Sequence, residues 1–152
     1  MVENNKLIFT LGLIILFLDQ FTKQLVKSFS VNTSGHFVDI TFTTNTGSLF
    51  SLFAGASLVN IIFIVLSLFA IGILIYLFNE EKIFLRKISY IIIVSGILGN
   101  FIDRIIYGKV IDFINFHFWP IFNLADSALF IGVIISLITL IKEKEPSNNS
   151  KR

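Results

Sequence analysis

Apolar positions fall in four long stretches separated by polar connections. Residues 7–18 are unbroken apart from Thr10 and Gly12, and helical character continues to Val26. Residues 58–78 form a second stretch with Asn60 as its main polar interruption. A bilayer crossing takes roughly 20 residues of helix, a length the second stretch meets directly. Residues 88–106 make a third, with Asn100, Asp103 and Arg104 near its end, and residues 121–141 a fourth, with Asn123 and Asp126 in its first turn. Between the first two stretches the pattern changes. Val38-Asp39-Ile40-Thr41-Phe42-Thr43 alternates, with β-branched and aromatic residues that favour a strand, and Asn45-Thr46-Gly47 reads as a turn.

Composition agrees with a lipid setting. Of the 152 residues, 55% are hydrophobic and 14% charged, and the mean hydropathy is +0.85. A soluble domain of this size could not bury so much apolar surface. The chain has no cysteine, which excludes disulfides and thiolate metal sites. A net charge of +2 without a basic stripe gives no support for nucleic-acid binding.

The basic residues orient the bundle. The side holding the N-terminus, residues 79–87 and the C-terminal segment carries Lys6, Lys82, Arg86, Lys87, Lys142, Lys144, Lys151 and Arg152. The other side has Lys23, Lys27, Arg104 and Lys109. Both termini are therefore expected in the cytoplasm. The expected architecture is an all-α polytopic membrane protein, with four transmembrane helices and a small extracytoplasmic β element between helices 1 and 2. It comprises one domain over residues 1–141 and a polar, disordered cytoplasmic tail over residues 142–152, which contains Pro146 and Asn148-Asn149. The first stretch is read as an uncleaved helix, because Asp19-Gln20-Phe21-Thr22-Lys23 stands where a cleavage site needs small residues.

Carboxylates inside a membrane are costly, about 2.5–3.5 kcal/mol at a helix centre on insertion scales. Asp19, Asp39, Asp103, Asp112 and Asp126 lie outside the cytoplasmic flanks. Asp112 and Asp126 flank the connection between the antiparallel third and fourth spans, so both can meet at the outer membrane boundary. Two close carboxylates share a proton, and one can act as general base on water while the other donates to a carbonyl. A plainer reading stands beside this one. Asn123 can be an N-cap with Asp126 at N3, favoured by the helix dipole, and Asp112 can be an exposed loop residue. The two readings are compatible, since a helix N-terminus favours ionised Asp126 and leaves Asp112 to hold the shared proton.

Asp19 and Lys23 are spaced i,i+4 and face the same way, as an ion pair that makes a buried carboxylate tolerable. Arg104, beside Asp103 at the outer end of the third span, can snorkel or pair locally. Gly96 and Gly99 indicate close helix packing, and Trp119 an interfacial anchor. His36 and His117 are too isolated for a metal site.

Taken together, five blocks resemble the lipoprotein signal peptidase (signal peptidase II) family, in the family's order and over nearly the whole chain. They are Asp19-Gln20-Phe21-Thr22-Lys23, then Asn45-Thr46-Gly47-Ser48-Leu49-Phe50, then residues 96–104 (GILGNFIDR), residues 108–113 (GKVIDF) and Phe122-Asn123-Leu124-Ala125-Asp126-Ser127. The resemblance implies an endopeptidase that cuts prolipoproteins just before a diacylglyceryl-modified cysteine, in the bacterial cell (inner) membrane. It implies a catalytic dyad of Asp112 and Asp126 near the extracytoplasmic face, with no metal or other cofactor. By matching position it implies that Asp19, Lys23, Asn45, Gly47, Asn100, Arg104 and Asn123 line or support the site. The partners implied are diacylglyceryl-modified prolipoproteins and membrane lipids, with the chain acting as a monomer and binding no nucleic acid.

There are departures. Ser95 stands where the family often has a second glycine, and Ser48-Leu49 replaces the usual small pair after Asn-x-Gly. The connection between the two aspartates is on the short side. Other classes make different demands. A proton-coupled carrier would spread its carboxylates through the membrane depth, and a scaffold would not need two acids on one face. The Gly-x-Gly-Asp motif of another intramembrane aspartic protease type is absent, since Gly99 is followed by Asn100.

Overall fold

A computed structural model describes residues 2–47 and 56–144. Its elements run α1 (Val2–Phe29), β1 (Asp39–Asn45), α2 (Ala56–Glu80), α3 (Phe84–Tyr107), β2 (Val110–Asn115) and α4 (Leu124–Lys144). All four helices are long and apolar enough to cross a membrane, over Asn5–Phe29, Leu58–Glu80, Phe84–Tyr107 and Leu124–Glu143. These correspond to the four apolar stretches of the sequence. The fourth helix starts at Leu124 rather than residue 121, because Phe122 is held in a backbone bridge to Ile114. It continues to Lys144, so residues 142–144, expected in the tail, are helical. The rest of that tail and the Ser48-Leu49-Phe50 stretch lie outside the described residues.

α3 is the hub. In its most apolar window 61% of residues are buried, against 17% for α1, 6% for α2 and 22% for α4. Small residues on α3 permit this. A Cβ on Gly96 would stand 2.5 Å from the Ala125 carbonyl oxygen of α4. Ser95 faces α1, where a Cβ on Gly12 would come within 2.9 Å of its Oγ. The Ser95 hydroxyl donates to the Ile91 carbonyl of its own helix at 2.8 Å. A serine is therefore accommodated at this position because a glycine lies opposite and its hydroxyl has a partner within the helix. α2 packs mainly through apolar contacts, and Asn60 adds one polar tie by donating to the Arg104 carbonyl at 3.2 Å.

Toward the termini, α3 and α4 are joined by a buried guanidinium. Arg86 donates to Glu143 at 2.6 Å, to Glu81 at 2.9 Å and to the Thr139 carbonyl at 3.2 Å. At the opposite end lies the β element, and it involves two connections, not one. β1 pairs antiparallel with β2, which comes from the α3–α4 connection, with Thr43 opposite Asp112 and Asn45 opposite Val110. Sequence patterning picks out only the first strand. β2 lacks alternation because it is enclosed on both faces: Val110, Ile111, Asp112 and Phe113 are all buried. Asp112 is thus a buried strand residue, not an exposed loop position. Near the far edge of the sheet, His117 approaches Asp39 at 2.7 Å. The Gly35 N–H and His117 hold the Asp39 carboxyl below the usual carboxylate range.

Candidate active site

The α4 N-terminus carries a reciprocal cap. The Asn123 side-chain oxygen accepts the Asp126 N–H at 2.9 Å, and Asp126 Oδ2 accepts the Asn123 N–H at 3.1 Å. This is the geometry of a capping box, with Asn at N-cap and Asp at N3. A third orphan donor of that first turn, the Ala125 N–H, is bonded from outside the helix by Asp19 Oδ1 at 2.8 Å.

The other end of the Asn123 side chain reaches β2. Its amide donates to Asp112 Oδ1 at 2.7 Å, to the Ile111 carbonyl at 3.2 Å and to Asn100 Oδ1 at 3.0 Å. Asn100 in turn donates to Asp126 Oδ1 at 2.8 Å. Asp112 and Asp126 are therefore held by one shared pair of amides. Burial and the neighbouring Asp126 charge push the Asp112 carboxyl up to about 6, against the opposing hydrogen bonds of Asn45 and Asn123. A carboxyl so placed retains a proton more readily than a solvated one.

Beneath the amides lies a buried ion cluster. Lys23 Nζ stands 2.8 Å from Asp19 and 3.0 Å from Asp103, and it donates to Asn100 Oδ1 at 3.2 Å. Gln20 completes it, donating to Asp19, Asp103 and the Gly99 carbonyl. Gly99 is required for this approach, since a Cβ there would sit 2.5 Å from Asp19 Oδ2.

Above the amides, Arg104 donates to the Asn100 carbonyl at 3.2 Å and stacks over Phe63 at 4.6 Å. Its charge acts on both Asp126 and Asp112. Gly47 has φ 75, accepts no side chain without strain, and packs on the same Phe63 ring. Its N–H donates to Asn45 Oδ1 at 2.8 Å, closing the end of β1. Beside Asp126 opens a cavity of about 540 Å³ lined by Phe116, Phe118, Trp119, Phe122 and Phe130. Phe118 and Phe130 are largely exposed at its rim. Among the described residues, no group of three His, Asp or Glu side chains is placed to hold a metal ion.

Every residue that the resemblance assigns to the site lies in or against this one assembly. Asp19, Lys23, Asn100, Asn123, Asp112 and Asp126 form a continuous chain of polar contacts, Asn45 joins it at Asp112, and Arg104 and Gly47 flank it across Phe63. Sequence reasoning missed Gln20 and Asp103. Asp103 was read as a neighbour of Arg104 at the span end, whereas it is fully buried against Lys23. A signal was available: Gly96, Gly99, Asn100 and Asp103 are spaced to share one helix face.

Comparison with known proteins agrees with this picture. The family model described as signal peptidase (SPase) II matches residues 11–142. The chain is 37% identical over 139 residues to the lipoprotein signal peptidase of Thermodesulfovibrio yellowstonii, covering 86% of this chain and 91% of that one. Against the lipoprotein signal peptidase of Halalkalibacterium halodurans it is 34% identical over 155 residues, covering 94% and 97%. A bacterial membrane enzyme solved by the in meso method at 1.9 Å resolution superposes with a TM-score of 0.83 at 29% identity, covering 91% of this chain and 94% of that one. With four membrane-spanning helices and a family match over most of its length, this chain is a multi-pass membrane protein that belongs to the signal peptidase II family.

Proposed function

We propose that the protein is an aspartic endopeptidase that removes signal peptides from bacterial prolipoproteins, cleaving before a diacylglyceryl-modified cysteine. The observation that carries this reading is the pair of amides, Asn123 and Asn100, that binds Asp112 and Asp126 together. In this mechanism Asp126, at the positive end of α4, is the ionised base. It takes a proton from water as the water oxygen bonds to the scissile carbonyl carbon. Asp112 holds the shared proton and donates it to the carbonyl oxygen. Collapse of the tetrahedral intermediate breaks the C–N bond: Asp126 passes the water proton to the departing amine, and a hydroxyl of the intermediate returns its proton to Asp112. Arg104 supplies fixed positive charge beside the developing oxyanion. The chemistry requires no metal, because the two carboxylates activate water themselves.

The aromatic cavity beside Asp126 suits the acyl chains of the modified cysteine, which reach it from the bilayer. The sheet end faces out of the cell and the termini face the cytoplasm, as the basic residues at the termini end favour. The test is to purify the protein in detergent and incubate it with a diacylglyceryl-modified prolipoprotein in the presence of EDTA. The product masses identify the bond cut. A product beginning at the lipidated cysteine supports the reading; an intact substrate, or cleavage only without chelator, contradicts it.

A further inference from the structure

Two backbone N–H groups in the site share an unusual arrangement. Each belongs to the residue immediately before one of the paired aspartates, and each is bonded by a carboxylate from another part of the chain. The Ile111 N–H donates to Asp103 Oδ2 at 3.0 Å, and the Ala125 N–H donates to Asp19 Oδ1 at 2.8 Å. Lys23 bridges the two carboxylates, and Gln20 bonds both of them. Asp19, Lys23 and Asp103 are all 0% exposed.

The sheet topology explains why these bonds are needed. β2 pairs with β1 on one side only. On its free edge the Ile111 N–H is taken by Asp103, the Ile111 carbonyl by Asn123, and the Phe113 N–H by the Phe122 carbonyl. An edge strand without such partners would carry unsatisfied buried groups and a poorly fixed register. A buried ion cluster adds little net stability compared with well-packed apolar residues. Its presence here calls for a role in specifying geometry.

We infer that Asp103 and Asp19, tied together by Lys23, are positioning residues that place Asp112 and Asp126 relative to each other through the Ile111 and Ala125 backbone bonds. This rests on the reading of Asp112 and Asp126 as a dyad. Displacing a reacting group by about 1 Å costs on the order of 10² in rate, so loss of one bond shows in turnover more than in substrate binding.

The test compares Asp103→Leu with Asp103→Asn in the full-length protein, using a diacylglyceryl-modified prolipoprotein peptide and rates expressed per folded molecule. Both variants remove the charge and leave Lys23 paired with Asp19; only Asn keeps an acceptor for the Ile111 N–H. Asp103→Leu is expected to lower kcat about 100-fold with KM within about twofold, and Asp103→Asn to stay within about tenfold of the parent. If Asp103→Leu does not fold, replacing Ile111 by its α-hydroxy acid removes the N–H alone and is expected to give the same kcat loss. Equal kcat for the two Asp103 variants, or parental turnover by the ester protein, overturns the inference. Asp112→Asn and Asp126→Asn run alongside. If they are inactive while the ester protein is not, only the positioning role fails; if they turn over, the dyad reading fails and takes this inference with it.

Discussion

Asn123 donates its side-chain amide to the Asp112 carboxylate at 2.7 Å, and the oxygen of the same side chain caps the helix whose first turn carries Asp126. One residue thus ties strand β2 to the start of α4. Replacing it by Ala removes an N-cap, which costs about 1 kcal/mol, and takes the 2.7 Å amide bond away from Asp112, while Asp126 keeps its bonds from the Asn100 amide and the backbone N–H of residue 123. Asn123→Ala is expected to lower the thermal midpoint modestly while reducing kcat by about 10²-fold or more. Unfolding curves and turnover on the same preparation check this.

A second expectation concerns pH. The Asp112 carboxyl is raised to about 6 by burial and by Asp126. Because the proposed mechanism needs Asp112 protonated, kcat/KM of the free enzyme should decline as pH rises through about 6. The stability sign follows the same shift. A carboxyl raised above its unfolded value favours the fold below that value, and the contribution is lost as pH rises through the folded pKa. Asp112→Asn, which keeps the Asn123 acceptor, is therefore expected to stabilise the protein more at pH 7.5 than at pH 4. Thermal midpoints at the two pH values give the comparison.

Among the described residues, Lys23 is the cation within ion-pair distance of both Asp19 and Asp103. Removing one partner of a buried ion pair costs about 3–5 kcal/mol, because the remaining charge is left without compensation. Lys23→Met is expected to destabilise by that amount, and adding Asp19→Asn or Asp103→Asn to recover part of it. Thermal unfolding in detergent across this set measures both effects.

The aromatic cavity predicts a binding effect without a chemical one. Trp119 and Phe130 line it beside Asp126, and buried acyl chain is worth about 0.8 kcal/mol per CH₂. Trp119→Ala and Phe130→Ala are expected to raise KM about tenfold for the diacylglyceryl substrate with kcat nearly unchanged, a loss equivalent to about two methylenes. Steady-state kinetics separates the two parameters.

The helices were legible because lipid imposes long apolar runs, and all four spans match the structure within five residues at each end. β2 was not legible. Its buried, apolar run at residues 110–113 lies in a short connection, where length does not separate strand from loop. The Asp112–Asp126 pairing was open to two readings from spacing; the Asn123 cap is present, the same side chain also bonds Asp112, and Asp112 is a buried strand residue rather than an exposed loop position. Asp103 escaped notice because its partner, Lys23, lies eighty positions away in the chain. The local signal was the helix face it shares with Gly96, Gly99 and Asn100, which does not name the partner.

In the proposed mechanism Asp112 and Asp126 together activate water. The most direct measurement is single-turnover cleavage of a diacylglyceryl-modified prolipoprotein by the parent protein, Asp112→Asn and Asp126→Asn, each shown folded by its thermal midpoint. Each substitution is expected to lower the rate by about 10²–10⁴-fold while the substrate still binds. Parental cleavage rates in either folded variant would contradict that mechanism.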